Sequence, residues 1–334
     1  METFSSLDFQ LQNEIVQKVI DLSWGGLGYK RIIKKIKEEF SVNLGLGLLS
    51  YWFNNEVCLY GGQNHFDSKP TKELAYVLGV MFGDGSIFYD KKKQGYIVGL
   101  SAIDRDFVEH FSRCISKVLN KEKRYSVVKF RQKAMDSCMY SARARSKELY
   151  YFIKELKEDF EKVKPFAEAY PKEFIQGLAD SEGCPRVAAN GVFQVGVCVA
   201  SSMGVSLLAF VSFLLKMKFG IKSRVYHSKN KGATDSCING RLITRQNDLF
   251  VLNISNFNST KLFSTKINFN IGRKKDKLNY AVLIFEKNLP MDRIASWCKK
   301  YSKINKKWIS QKPNQSSTID VLTPSPGIEP ESHP

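Results

Sequence analysis

The sequence is short of the side chains that build most metal centres and disulfide scaffolds. Its seven cysteines stand singly at 58, 114, 138, 184, 198, 237 and 298, with no C-x-x-C among them. That scatter excludes a disulfide framework and a thiolate zinc site, and it points to a reducing compartment. The four histidines, His65, His110, His227 and His333, show no ligand spacing. Long hydrophobic runs are missing as well. The greasiest stretch, LLAFVSFLLKM at 207–217, is well short of the ~20 residues that span a bilayer. METFSSLDFQ lacks the basic start and apolar run of a signal peptide. The expectation is a soluble intracellular protein, cytoplasmic or nucleoid, without a membrane partner.

Acidic residues are also scarce: 33 against 51 Lys and Arg, a formal charge of +18. With 334 residues and 43% hydrophobic content, the chain is long enough for two or three domains. Such an excess of positive charge favours an anionic partner, nucleic acid before an acidic membrane surface. From Pro313 onward the chain holds five of its ten prolines and no Lys or Arg. That composition predicts a disordered tail over 313–334.

Residues 1–60 read as a small helical module. LQNEIVQKVIDL places Leu11, Ile15, Val19 and Leu22 on one face, and YKRIIKKIKEEF places Ile32, Ile33, Ile36 and Phe40 on another. LLSYWFNNE is a short third helix after the turn SVNLGLG. Helices joined by a tight glycine-bearing turn resemble a helix-turn-helix, with Tyr51 and Asn54 as candidate groove-facing residues; the alternative is a bundle with a solvated basic face. GGQNHFDSKP, 61–70, is a linker by composition.

From 71 to about 285 the chain repeats itself. YVLGVMFGDG at 76–85 and FIQGLADSEG at 174–183 are apolar helices that end on an acid followed by glycine. Glu182 stands 98 positions after Asp84. Each is followed by two β-rich stretches, an apolar helix, a basic strand, a closing strand and a further helix. The second copy carries Asn190-Gly191 as a hairpin signal and a longer connection over roughly 229–248. Counting along the first hairpins matches Leu100 with Cys198. The expected fold is α+β: two tandem αββαββα repeats, 71–164 and 165–285, forming a pseudo-two-fold saddle of antiparallel sheets. A helical extension, 286–312, follows.

Gly79 and Gly83 lie four apart, as do Gly177 and Ser181. Small residues at that spacing share a face and let two helices approach closely, with Val77, Val80, Met81 and Leu178 completing the seam. Gly85 and Gly183 fit the positive φ that often ends a helix. A carboxylate in a helix's last turn meets the negative end of the dipole, and two in contact repel. A divalent cation reverses that balance, because carboxylates and free carbonyls are hard oxygen ligands. Asp84 and Glu182 are therefore the candidate metal-binding and catalytic pair, with Mg²⁺ as the expected cofactor and Mn²⁺ as its substitute. Metals held against a polyanion imply phosphodiester hydrolysis. Lys129, Arg131, Arg143, Arg145, Arg186, Gln194, Arg224 and Lys229, on the strands, are candidates for phosphates and base edges.

VLGVMFGDG at 77–85 and IQGLADSEG at 175–183 resemble the two copies of the LAGLIDADG motif. KPTKELAYVLGVMFGDGSI is especially similar to monomeric, intron-encoded homing endonucleases of the archaeal type. The resemblance covers about 66–280. It implies a single-chain pseudo-dimer that lays a curved sheet on each half of a long asymmetric DNA site. It implies metals held by Asp84 and Glu182 with help from the carbonyls of Gly83 and Ser181, and double-strand cleavage across the minor groove with short 3′ overhangs. There are departures. Relatives often carry Gln or Lys on the second strand; the matching positions are Ala102 with Ile103, and Ala200 with Ser201. Pro185 stands where some relatives have Lys. In the first copy Phe82 replaces the motif's earlier acid, which Asp180 keeps in the second. Two rival readings accompany the endonuclease: a maturase that binds intron RNA, and a DNA-binding regulator on a degenerate nuclease body.

Overall fold

The computed structural model describes residues 2–54, 66–91, 95–132, 137–187, 192–238, 241–289, 292–304 and 307–310. Residues 1–283 form one compact unit and 284–334 another.

The N-terminal helices follow the apolar spacing. α1 (Phe9–Trp24) starts where Asp8 accepts the Leu11 N–H. α2 (Tyr29–Phe40) buries Ile32 and Ile36, and α3 (Leu46–Asn54) adds Leu49 and Trp52. Together with Ile15 and Val19 these make a small core of their own. Lys147, at the start of a helix in the α+β body, donates to the Gln12 side chain and ties this module to that body. The side chains of Tyr51 and Asn54, the linker residues 61–65 and the Asn190-Gly191 signal lie outside the described residues.

The α+β body is built twice. α4 (Lys72–Met81) is capped by Thr71, whose hydroxyl accepts the Leu74 N–H at 3.1 Å. It leads into β1 (Gly85–Asp90) and β2 (Gly95–Ala102), then α5 (Arg105–Val118), β3 (Val128–Gln132), β4 (Ser137–Arg145), α6 (Lys147–Glu158) and the short α7 (Lys164–Ala169). α8 (Pro171–Glu182) opens the second copy with proline in its first turn, where no N–H is needed. It is followed by β5 (Gly183–Val187), β6 (Phe193–Val199), α9 (Gly204–Phe219) and β7 (Arg224–Lys229). A hairpin, β8 (Thr234–Ile238) with β9 (Arg241–Thr244), occupies the longer connection, and β10 (Leu249–Ile254), α10 (Phe257–Lys266) and α11 (Gly272–Lys287) close the copy. Both four-stranded sheets are antiparallel with the same order, β1-β2-β4-β3 and β5-β6-β10-β7.

The register corrects one match. Gly85 pairs with Leu100, whereas Gly183 pairs with Val197. The second hairpin is thus one residue shorter, so Leu100 corresponds to Val197 rather than Cys198, and Ala102 to Val199 rather than Ala200. The glycines that end the motifs also differ from expectation. Gly183 has φ −81° and ψ 141°, and neither it nor Gly85 lies in the left-handed region. Each begins a strand, and glycine is needed there for space. A Cβ on Gly183 would lie 2.3 Å from the Ala179 oxygen, and one on Gly85 2.5 Å from the Met81 sulfur.

The second unit corrects the expected helical extension. Among the described residues of 286–312 stand the end of α11, a short helix, α12 (Asp292–Cys298), and then a two-stranded hairpin, β11 (Tyr301–Ile304) with β12 (Lys307–Ser310). Trp297 is buried and stacks on Tyr301, ring centroids 4.4 Å apart, which pins the helix to the hairpin.

α4 and α8 carry the main contact between the two copies. A Cβ on Gly79 would sit 2.2 Å from the Phe174 carbonyl oxygen, and one on Gly177 2.3 Å from that of Tyr76. Gly79→Ala and Gly177→Ala are each expected to cost about 3 kcal/mol or more by overpacking backbone against backbone. Denaturant unfolding checks this; an unchanged midpoint would mean the helices separate freely.

Candidate metal centre and nucleic-acid interface

The seam repeats at a fixed offset of 98. Gly79 faces Phe174 and Leu178; Gly177 faces Tyr76 and Val80. Lower down, a Cβ on Gly83 would lie 2.4 Å from the Ser181 Cβ and 3.1 Å from the Glu182 Cγ. All four small residues expected at the interface therefore sit in it, and the two acids are delivered side by side. The helix ends are not identical. α8 runs through Glu182, whereas α4 stops at Met81 and tightens, Gly83 N–H bonding the Val80 carbonyl at 3.0 Å, so Asp84 lies in a turn just beyond.

Electrostatics at this point oppose ionisation. Burial raises the Glu182 carboxyl to about 7, the neighbouring Asp84 adds to the rise, and Lys274 offsets part of it. Asp84 keeps an exposed side chain, yet surrounding protein raises it as well; Lys274 counteracts and Asp104 reinforces. This is chiefly the cost of burying carboxylates at a packed helix end, with like charge from Asp84 adding to it at Glu182.

Lys274 and Asp180 answer that cost on one side. Asp180 is 1% exposed and accepts from the Tyr76 hydroxyl at 2.8 Å and the Asn270 N–H at 2.9 Å. Burial raises its carboxyl to about 6, against the pull of those donors. Lys274, from α11, reaches the end of α8 and donates to the carbonyls of Ala179 (3.3 Å), Asp180 and Ser181 (3.3 Å). A buried ammonium thus caps the helix that carries Glu182. The first copy fills the equivalent place with apolar rings: Phe82 stands at Asp180's position and packs edge-on against Phe160, centroids 6.2 Å apart. The sequence reading missed Lys274. It sits in GRKKDK, where four cations look alike; the clue was Asp180, a motif acid on a buried helix that needs a donor. Next to Lys274, Arg273 makes a two-point bond to Asp104 (3.0 and 2.8 Å), and the Gly272 N–H donates to Asp106, clasping the second copy to the first.

The donor set suits a hard divalent ion. Among the described residues no three His, Cys, Asp or Glu side chains gather closely enough to hold a metal by themselves. Two carboxylates with raised pKa values, joined by helix-end carbonyls, match a cation that keeps several waters and completes its shell with phosphate oxygens. Asp84 and Glu182 would hold it, with the carbonyl of Gly83. The Ser181 carbonyl already accepts from Lys274 and can offer only its second lone pair.

Strand pairing settles which candidate side chains share a face, because residues directly opposite point the same way. In the first sheet Val98, Leu100, Ala142 and Ala144 are buried against the helices. Arg143 and Arg145 alternate with them and stand on the open face. Lys129 pairs with Tyr140, and Arg131 with Cys138, which puts both exposed side chains on the helix side of an edge strand, away from Arg143. In the second sheet Arg186 and Gln194 pair on the open face, bonded Nε to Oε1 at 3.2 Å, and Arg224 joins them through Asn253 and Gly196. Lys229 pairs with Leu249 beyond a bulge.

A family profile for the LAGLIDADG-like domain matches residues 169–268. Uncharacterized protein MJ0398 of Methanocaldococcus jannaschii is 32% identical over 266 residues, 79% of this chain and 92% of that one. The chain thus carries a LAGLIDADG-like domain over residues 169–268 and belongs to the same family as MJ0398. Uncharacterized protein MJ0314 of the same organism is 34% identical over 48% of this chain and 59% of its own. Among solved structures, I-DmoI in complex with DNA and Ca overlaps 62% of this chain and 97% of its own at 20% identity, TM-score 0.41. The homing endonuclease I-WcaI bound to its DNA recognition sequence overlaps 64% and 88% at 11% identity, TM-score 0.41.

The Glu182 shift has a measurable sign. A carboxylate raised from 4.5 to about 7 by folding favours the folded chain fully at low pH and loses that contribution as pH rises through 7. In metal-free buffer, Glu182→Gln should therefore be more stable than wild type above pH 7, by on the order of 2 kcal/mol, with the gap closing towards pH 4.5. Thermal melts across that range test it; a gap that does not change with pH would contradict it.

Proposed function

We propose that the chain is a divalent-metal-dependent endonuclease that cuts both strands of duplex DNA at a long, asymmetric site. It works as a monomer and promotes homing of the intron that encodes it. The observation that carries this reading is the delivery of Asp84 and Glu182, side by side, at the ends of two helices in backbone contact. Each helix end opens into one four-stranded sheet. A duplex laid along both sheets brings its two backbones towards the one point where two carboxylates meet. The boundaries we assign are 71–164 for the first repeat and 165–285 for the second.

The chain's own groups divide the work. Asp84 and Glu182 remain unprotonated once a cation neutralises their repulsion, and the carbonyls of Gly83 and Ser181 assist them. What Mg²⁺, or Mn²⁺ in its place, supplies when bound is charge for the scissile phosphate and a more acidic water. Lys274 fixes the α8 end and keeps one positive charge beside the acids. The rigid seam sets their separation, so that each acid serves one strand. Arg143, Arg145, Arg186, Gln194, Arg224 and Lys229 contact the groove and its phosphates. Lys129 and Arg131, on the edge strand's other face, are assigned to backbone phosphates alone. Ala102 and Val199 provide no polar group on the second strands, and a modest turnover is expected. The N-terminal module extends the footprint at one end, through the exposed basic face of α2.

Asp84→Asn and Glu182→Gln should each reduce cutting of a plasmid carrying the joined insertion flanks by 1,000-fold or more, a scale of ~4 kcal/mol, while binding to the same DNA persists. Loss of binding together with cutting would assign the acids to structure. Cutting that survives EDTA would remove the metal, and tight binding without cutting in the wild type would favour a regulator or an intron-RNA maturase. Lys30→Ala with Arg31→Ala and Lys34→Ala should shorten the protected DNA at one end only. An unchanged footprint would return the module to a purely structural role.

A further inference from the structure

The open faces of the two sheets differ in chemistry at equivalent positions. In both copies a glycine marks the middle of the second strand, Gly99 and Gly196, paired with Ser86 and Cys184 respectively. Two residues earlier on each strand stand Ile97 and Gln194, paired with Phe88 and Arg186. The first sheet thus shows Phe88 above a buried Ile97 where the second shows a hydrogen-bonded polar pair. The contrast continues towards the outer strand. Val128 and Phe130 lie on the same face as Ser141 and Arg143, and they are 59% and 37% exposed; Phe88 is 36% exposed. A groove of about 460 Å³ opens there, lined by Tyr125, Ser126, Val128, Phe130, Ser141 and Arg143. The Arg143 guanidinium lies over the Phe88 ring, 5.6 Å from its centroid.

Large apolar side chains left open beside arginines on a strongly basic chain need a partner that is both anionic and locally apolar. The major groove of DNA provides one such surface, since the thymine C5-methyl is the apolar group on its floor. We propose that the first sheet reads its half of the target through thymine methyl groups, seated on Phe88, Val128 and Phe130, with Arg143 held between them for an adjacent base edge or phosphate. The second sheet, with Arg186 and Gln194 paired on its face, reads purine hydrogen-bonding edges instead. The target is then unequal in kind: A·T-rich with a fixed thymine strand under the first sheet, and guanine- or adenine-specified under the second.

This rests on the duplex-DNA reading above, and the test separates the two. Full-length protein in EDTA is used to select from a library of duplexes with a randomised centre, and the winning duplex is remade with deoxyuridine for thymine in one half at a time. Deoxyuridine should weaken binding about fourfold per contacted methyl, the effect of burying one CH₂, in one half and not in the other. Val128→Ser with Phe130→Ser should remove the part of that preference carried by these two side chains, leaving at most the single methyl seated on Phe88, and leave salt-dependent affinity for random duplex intact. Both side chains are exposed, and an unchanged melting temperature confirms that the variant folds. Equal binding to thymine and deoxyuridine in both halves overturns the inference while duplex binding stands. A methyl effect undiminished by the double substitution also overturns it, by placing the reader elsewhere. No selected duplex at all overturns the DNA reading itself.

Discussion

Everything in the molecule depends on two helices touching backbone to backbone. At Gly79 and Gly177 there is no room for a single Cβ, because a carbonyl oxygen of the partner helix already stands 2.2–2.3 Å from where it would go. Contact that close fixes the translation and rotation of α4 against α8. It therefore fixes the separation of Asp84 and Glu182 and the junction of the two sheets. A seam of larger residues would hold the helices further apart, and the two-strand cleavage proposed above would not tolerate that looseness.

The same closeness creates an electrostatic debt, and the two copies settle it differently. The second places Lys274 on the last carbonyls of α8 and surrounds Asp180 with donors. The first has rings, Phe82 against Phe160 and Phe174, and a tightened turn. Neither device brings the acids back to the usual carboxylate range: burial pushes both upward, and Asp84 adds to the rise at Glu182. Under the proposed reading, such a pair gains from a bound cation. The asymmetry beneath the acids and the asymmetry on the open faces, Phe88–Ile97 against Arg186–Gln194, belong to one pattern: a duplicated body whose halves differ in chemistry at matching positions.

Much of this was legible in the residues. Periodicity placed α1, α2, α4 and α8 where they are, and small residues four apart identified the seam, because helix geometry alone puts them on one face. The succession of helices and strands in each copy was legible, though not the register: a hairpin shortened by one residue moved the counterpart of Leu100 from Cys198 to Val197. The glycines after the acids were recognised for the wrong reason, since steric room and positive φ select the same residue. Which side of a strand a cation occupies was not legible for Lys129 and Arg131: VKFRQ does alternate apolar and polar residues, but its apolar side chains, Val128 and Phe130, stand on the open face instead of against the helices, the reverse of what alternation implies. Lys274 was invisible for a different reason. Its role comes from a contact 93 residues away in sequence, to Ser181.

The central claim is that the helix-end pair of carboxylates forms a divalent-metal site. Electron paramagnetic resonance of Mn²⁺ added to the full-length protein above pH 7 tests it without any DNA target, by counting ions bound per chain. The account predicts saturable binding to wild type, and loss of that binding in the Asp84→Asn, Glu182→Gln double variant, which remains folded. Equal Mn²⁺ binding by the two proteins would contradict it.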